Sequence, residues 1–306
     1  MLKSKYFTSK ITLKNRFEKI YPQTIITIKK GNKNKGLELC TNEKILEEFN
    51  YLKQEIDNNV EYEKRLEENN NLNRYKDIRP FKDNLVKIDL GNKYINASWI
   101  HIPKSHYFIV TQGPMDSTID DFWEMAYKYN ANVIVMLCLL EENNKKKCAN
   151  YWDNKNIKNF EFKEINEEFD INGIRLRNFE FKRQKDTFPK NIIQLHYTCW
   201  KDHTAPDKEA YHKLINLMIL MDYYKGNTPG IVHCSAGVGR TGTFIALYNL
   251  YCEIMKQIKD DTKKEIKFSI MNTVRQLKEM RAHLVENEDQ YLFLYQFVNI
   301  LLDEHN

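Results

Sequence analysis

The segment GIVHCSAGVGRTGTFIALYNLYCEIMKQI, residues 230–258, constrains this chain more than any other. A short apolar run ends in a turn carrying Gly237 and Gly239, and a helical pattern begins at once. Glycines let successive backbone N–H groups converge on one point, and the helix N-terminus adds its positive end. Together they make an anion cradle of phosphate size, built from Ser235, Ala236, Gly237, Val238 and Gly239. Cys234 stands at its base. Arg240, at the far end of the turn, can close a planar fork onto two phosphate oxygens. A free thiol titrates near about 8.5, and such surroundings lower this to roughly 3.5–7.5, so Cys234 is expected to attack as a thiolate. Two blander readings compete. A cysteine after an apolar strand is often inert, and a Gly-rich strand-to-helix turn can hold a nucleotide. The nucleotide version needs GxxxxGK[ST], and no lysine occupies that place.

The rest of the chain reads as α/β, a single domain with a central twisted mixed β-sheet flanked by helices and the phosphate-binding loop between a strand and a helix. The 306 residues, 42% hydrophobic, suffice for a dry core, and no internal repeat or second-domain linker interrupts them. Residues 1–40, Lys- and Asn-rich with one β-branched run at Thr24–Ile28, read as a partly ordered extension before a domain at 41–306. Thr41 is a candidate N-cap for a helix with Ile45, Leu46, Phe49 and Leu52 on one face. Strands are expected at KYINASWI and HYFIVTQ, joined at Pro103-Lys104-Ser105. A longer buried strand is expected at NVIVMLCLL (132–140), with more strands over 160–200. Helices are expected over DDFWEMAYKYN, over KEAYHKLINLMILMDYY ending at Gly226, after the cradle, and near 269–282 and 289–303. The Lys/Asn tracts at 143–147 and 154–158 read as surface loops.

Composition narrows the function classes. The net charge of +5, from 47 basic and 42 acidic residues with signs interspersed, points to no nucleic-acid partner. Six cysteines without a CxxC pair indicate free thiols, with no metal site and no cofactor expected. No apolar run reaches the roughly 18–20 residues of a membrane span, and the basic N-terminus lacks a signal peptide's apolar stretch. A soluble, cytoplasmic monomer is the expectation.

HCSAGVGRTG resembles the HCxxGxxR[ST] signature of the tyrosine-specific protein phosphatases, matching at every defining position. The resemblance covers roughly 41–303. It implies Cys234 as phosphocysteine nucleophile, Arg240 as phosphate binder, His233 tuning the thiolate and Thr241 assisting breakdown of the intermediate. NRYKDIRP (73–80) is similar to the family's substrate-recognition loop, implying Tyr75 as a stacking wall and Asp77 as an acceptor for the substrate backbone. A deep aromatic slot admits a phenyl phosphate and leaves phosphoserine short. FIVTQGP, DFWEMAY and KCANYW also resemble family segments; the last implies that Lys147 faces the site, and Glu142 is placed to buttress Arg240.

The family has Trp-Pro-Asp where this chain has Trp200-Lys201-Asp202. The resemblance implies Asp202 as general acid and then base, on a loop that closes over substrate, with Trp200 in support. Lys201 removes a φ restraint and adds a charge. VENEDQY (285–291) looks like the family's glutamine-bearing loop. Gln290 matches its second glutamine, and Glu286 replaces the first, which orients the hydrolytic water. Two lesser departures, Tyr127 for Trp and Asp153 for Pro, read as structural. The function implied is hydrolysis of phosphotyrosine in proteins, metal-free and in two steps. The alternative is a phosphotyrosine-binding pseudophosphatase, supported only by Lys201 and Glu286; phosphoinositide or dual-specificity activity is disfavoured by Tyr75.

Overall fold

The β-prone runs of the sequence pair into one mixed sheet whose four central strands all point the same way. The computed structural model describes residues 24–31, 41–59, 71–88, 93–102, 106–165, 169–201, 204–206 and 209–305. In chain order it begins with β1 (Ile26–Lys29), α1 (Asn42–Asn59), β2 (Ala97–Ile102), β3 (His106–Thr111) and α2 (Ile119–Lys128). There follow β4 (Val133–Met136), the two-residue strands β5 (Glu141–Glu142) and β6 (Lys145–Lys146), β7 (Phe160–Glu164), β8 (Phe169–Ile171), β9 (Ile174–Arg183) and β10 (Lys190–Tyr197). The remainder is α3 (Ala210–Lys225), β11 (Gly230–His233), α4 (Gly239–Ile258), β12 (Glu265–Phe268), α5 (Ile270–Met280) and α6 (Glu288–His305).

The main sheet has the order β2-β3-β11-β4-β10-β9-β7, with β8 also on β9. β11 runs parallel to β3 and β4, and β10 parallel to β4, while the outer pairings are antiparallel. Every residue of β4 and β11 is buried, as expected of parallel strands covered on both faces. α3 packs over β4 and β10, and α4 packs against α5, α6 and β12. Because β3, β4, β10 and β11 are mutually parallel, their carboxyl ends open on one edge of the sheet. That edge is where open α/β sheets hold ligands. The segments after Thr111, Met136, Tyr197 and His233 therefore converge there.

Three local expectations need revision. The strand predicted over 132–140 stops at Met136: the Leu137 N–H still donates to His233 O of β11, but the Leu139 N–H turns away to Glu142 Oε1. The tract at 143–147 is no plain loop but the turn of the β5–β6 hairpin, with Asn143 and Asn144 at φ 51° and 58° as a two-residue hairpin turn requires. The Thr24–Ile28 run yields β1, which pairs antiparallel with β12, a strand not anticipated from sequence. Thr41 does cap α1, accepting the Lys44 N–H at 3.4 Å. The turn at 103–105 lies outside the described residues.

Candidate active site

The cradle hangs from the end of β11 and is held open from outside. Leu137 N–H takes the carbonyl of His233, His233 Nδ1 lies 3.1 Å from that of Cys234, and Gly113 N–H takes that of Ser235 at 2.9 Å. Arg281 donates to the next two, Nη2 to Ala236 O at 3.2 Å and Nε to Gly237 O at 3.0 Å. Val238 O accepts from the Gly242 and Val285 N–H groups. Six successive carbonyls thus turn outward. The N–H groups of Ser235, Ala236, Gly237 and Val238 face the other way and donate to no acceptor among the described residues. Gly237 is obligatory: it adopts φ 72°, and a β-carbon there would stand 2.2 Å from Thr111 O. α4 starts at Gly239 and aims its N-terminus at the same point.

Cys234 is buried at the base of this nest. Arg240, equally buried, is locked by a bidentate pair, Nη1 to Glu142 Oε1 at 2.7 Å and Nη2 to Glu142 Oε2 at 3.1 Å, with Nη1 also 3.1 Å from Trp200 O. Burial alone would lower the guanidinium's pKa, but Cys234 and Glu142 outweigh it and hold it above the ordinary arginine value. Burial also drives His233 down to about 3, so its ring is neutral. Its Nε2 lies 2.9 Å from the Tyr151 hydroxyl. The Thr241 hydroxyl, one residue into α4 from Arg240, is buried with no hydrogen-bond partner among the described residues.

On the rim, the half-buried Tyr75 sets its hydroxyl 3.0 Å from Ser235 Oγ, and Ser235 Oγ donates to Lys147 O at 2.9 Å. Lys147 is buried and Asp77 exposed. The 285–291 segment lies against the other side of the cradle. A β-carbon on Gly239 would stand 2.7 Å from Glu286 Oε2 and 3.0 Å from Gln290 Nε2. Gln290 is buried, and its Oε1 accepts the Glu286 N–H at 3.0 Å; Glu286 is exposed. The register depends on Val285, a β-branched residue at φ 60° whose carbonyl takes Lys278 Nζ at 3.1 Å. Trp200 is buried, with Nε1 donating to Thr204 O at 2.9 Å. Asp202 lies outside the described residues.

The structure therefore gathers Cys234, Arg240, His233, Thr241, Glu142, Tyr75, Trp200, Glu286 and Gln290 around one nest. Sequence reasoning missed Arg281 and Tyr151. Arg281 reads as an ordinary cation at a helix end, yet it takes an extended conformation after Met280 and turns inward to full burial. There it also bonds Asn96 Oδ1 at 2.8 Å and Ser98 Oγ at 3.2 Å. Burial lowers it to about 10, which leaves it charged at neutral pH.

Comparison with known proteins names a family for the chain. A family model described as protein-tyrosine phosphatase matches residues 69–299. The human tyrosine-protein phosphatase non-receptor type 20 is 35% identical over 238 residues, which are 75% of this chain and 54% of that protein. Tyrosine-protein phosphatase 69D of Drosophila melanogaster is 35% identical over 268 residues, 82% of this chain and 18% of the relative. The chain thus spans about half or less of these relatives. Among solved structures, the catalytic domain of human protein tyrosine phosphatase non-receptor type 18 is similar, with a TM-score of 0.74 and 28% identity over 84% of this chain and 96% of that one. A second structure of that protein, at 27% identity, TM-score 0.74 and 84% and 92% coverage, holds phosphopeptides of HER2. The chain belongs to the protein-tyrosine phosphatase family.

Proposed function

We propose that this chain hydrolyses phosphotyrosine in proteins through a phosphocysteine at Cys234. The observation that carries the reading is the nest itself: six carbonyls bonded away from a point that Cys234 and the N–H groups of the loop share. An oxyanion there meets preorganised donors that need no rearrangement as charge shifts.

In the first step Cys234 Sγ attacks phosphorus in line, and the bond to the phenolic oxygen breaks. Arg240, its plane set by Glu142, clamps two equatorial oxygens. Asp202 delivers its proton to the departing phenolate, which leaves as tyrosine. In the second step the Asp202 carboxylate takes a proton from water, the water oxygen bonds to phosphorus, and the P–S bond breaks to release phosphate and thiolate. Gln290 and Glu286, on the Gly239 side of the nest, flank the water's approach. The orphaned Thr241 hydroxyl supplies a donor to the departing sulfur. Tyr75, tethered to Ser235, forms a slot wall that makes phosphotyrosine reach the nest and keeps shorter phosphoresidues away. The phosphopeptide complex of the type 18 relative supports a peptide substrate.

Steady-state turnover of a phosphotyrosine peptide beside phosphothreonine and inositide substrates tests the proposal. The expected result is efficient release of phosphate from phosphotyrosine alone. Comparable rates on phosphothreonine or inositides would overturn the specificity, and tight phosphotyrosine binding without turnover would make the chain a binding module.

A further inference from the structure

Behind the cradle a buried line of hydrogen bonds crosses the sheet and ends on the nucleophile's own backbone. Arg177 on β9 and Gln194 on β10 stand opposite each other in register, and Arg177 Nη1 donates to Gln194 Oε1 at 2.6 Å. Gln194 Nε2 donates to the Tyr151 hydroxyl at 2.7 Å, that hydroxyl lies 2.9 Å from His233 Nε2, and His233 Nδ1 lies 3.1 Å from Cys234 O. All four side chains are buried.

Elementary donor counting sets the direction of every bond. A guanidinium only donates, so Gln194 must turn its oxygen to Arg177 and its NH₂ to Tyr151. The tyrosine oxygen is then an acceptor, and its single proton goes to His233 Nε2, since among the described residues the other acceptor in reach is Met136 Sδ at 3.8 Å. The Cys234 carbonyl only accepts, so the proton of His233 sits on Nδ1. Arg177 is itself held by the Trp152 ring, 4.7 Å from its guanidinium carbon. It also reaches His196 Nδ1 at 3.5 Å, while His196 Nε2 must donate to Cys138 O at 2.8 Å.

We propose that Arg177, acting through Gln194 and Tyr151, is a positioning residue for Cys234: it directs the Tyr151 proton onto His233 Nε2, reinforces the Nδ1–H tautomer that the Cys234 carbonyl requires, and so anchors that carbonyl at the base of the phosphate nest. A cation at the far end polarises each successive bond toward that carbonyl, where chains of hydrogen bonds reinforce one another. Without Arg177 the Gln194 amide can flip and Tyr151 can reverse to accept from Nε2–H, so the Cys234 carbonyl holds the proton of His233 on Nδ1 without that support. The groups facing His233 from other elements are Tyr151, His196, Arg74 and Arg240, with Cys138 and Cys148 beside Tyr151.

The inference rests on Cys234 being the nucleophile, but its main readout does not. Ring ¹⁵N spectra of the full chain should show wild-type His233 as a neutral Nδ1–H tautomer between pH 5 and 8. Arg177→Met should mix the tautomers, lower kcat/KM on a phosphotyrosine peptide about tenfold, the worth of one hydrogen bond, and move the acid limb of the pH–rate profile upward. Arg177→Lys, which keeps a cationic donor, should recover most of both. If Arg177→Met fails to fold, Gln194→Leu breaks the same line one bond later and is read the same way. A folded variant with an unchanged His233 spectrum, or a changed spectrum with unchanged kcat/KM and pH profile, overturns the proposal. Absence of turnover in wild type would sink the functional reading, while the tautomer measurement still decides this one.

Discussion

Arg281→Met removes the clamp beneath the cradle, and the structure sets the size of the effect. The guanidinium bonds Ala236 O, Gly237 O, Asn96 Oδ1 and Ser98 Oγ, so the variant strands four acceptors, three of them buried. Breaking such a buried cluster costs about 3–5 kcal/mol, which a domain with roughly 5–15 kcal/mol in hand survives. The catalytic cost is separate. The carbonyls of Ala236 and Gly237 share peptide planes with the N–H groups of Gly237 and Val238. Once unclamped, those planes can rotate and withdraw two donors from the phosphate. A hydrogen bond to a charged group is worth about 1.5–3 kcal/mol, so losing two lowers kcat/KM by about 10²–10⁴. Denaturant melts with circular dichroism measure the first effect, and phosphotyrosine-peptide kinetics with phosphate-binding calorimetry the second. A folded variant within fivefold of wild type in both kcat/KM and phosphate affinity would refute the claim that Arg281 holds the nest open.

Three further outcomes are expected. Asp202→Ala should lower kcat on phosphotyrosine by about 10²–10⁴ but far less on an aryl phosphate with a good leaving group; equal losses in the two assays would make Asp202 structural. Glu286 sets an acceptor-only carboxylate against the Gly239 side of the nest, so wild type should show a rapid-quench burst of phenol that Glu286→Gln shrinks while raising kcat. No burst in wild type, with kcat unchanged in the variant, would show the substitution neutral. His233 stays neutral down to about 3 when folded and takes a proton near 6.5 when unfolded, so its contribution to stability is lost as pH falls from about 6.5 toward 3. In denaturant titrations wild type should lose about 1.4 kcal/mol per pH unit more than His233→Asn within that window, and parallel curves would contradict it.

What could be read from the chain and what could not divide on locality. The strand-turn-helix around Cys234 is a local arrangement, and its two glycines announce it; at Gly237 no other residue tolerates the backbone conformation and the approach to Thr111 O. Glu142, Tyr75 and Gln290 come to the cradle from separate segments; their placement was reached through resemblance, and no periodicity points to it. Arg281, Tyr151, Gln194 and Arg177 were not singled out at all. A polar residue inside an apolar pattern looks the same in sequence whether it faces solvent or a buried acceptor on another strand. β12 escaped notice for a related reason: EIKF is too short to signal a strand, and its partner β1 lies far back in the chain. β4 ends early because Glu142 must swing back to Arg240, a tertiary demand that overrides a run of β-prone residues.

The central claim is that phosphate passes through sulfur at Cys234, and the direct measurement is where the phosphoryl group sits during turnover. Mass spectrometry of wild-type protein quenched in the act of hydrolysing a phosphotyrosine peptide should place one phosphoryl group on the fragment containing Cys234. In Cys234→Ser the adduct and the turnover should both vanish while phosphopeptide binding persists. A phosphoryl group on any other residue, or a Cys234→Ser variant that turns over within tenfold of wild type, would contradict the account.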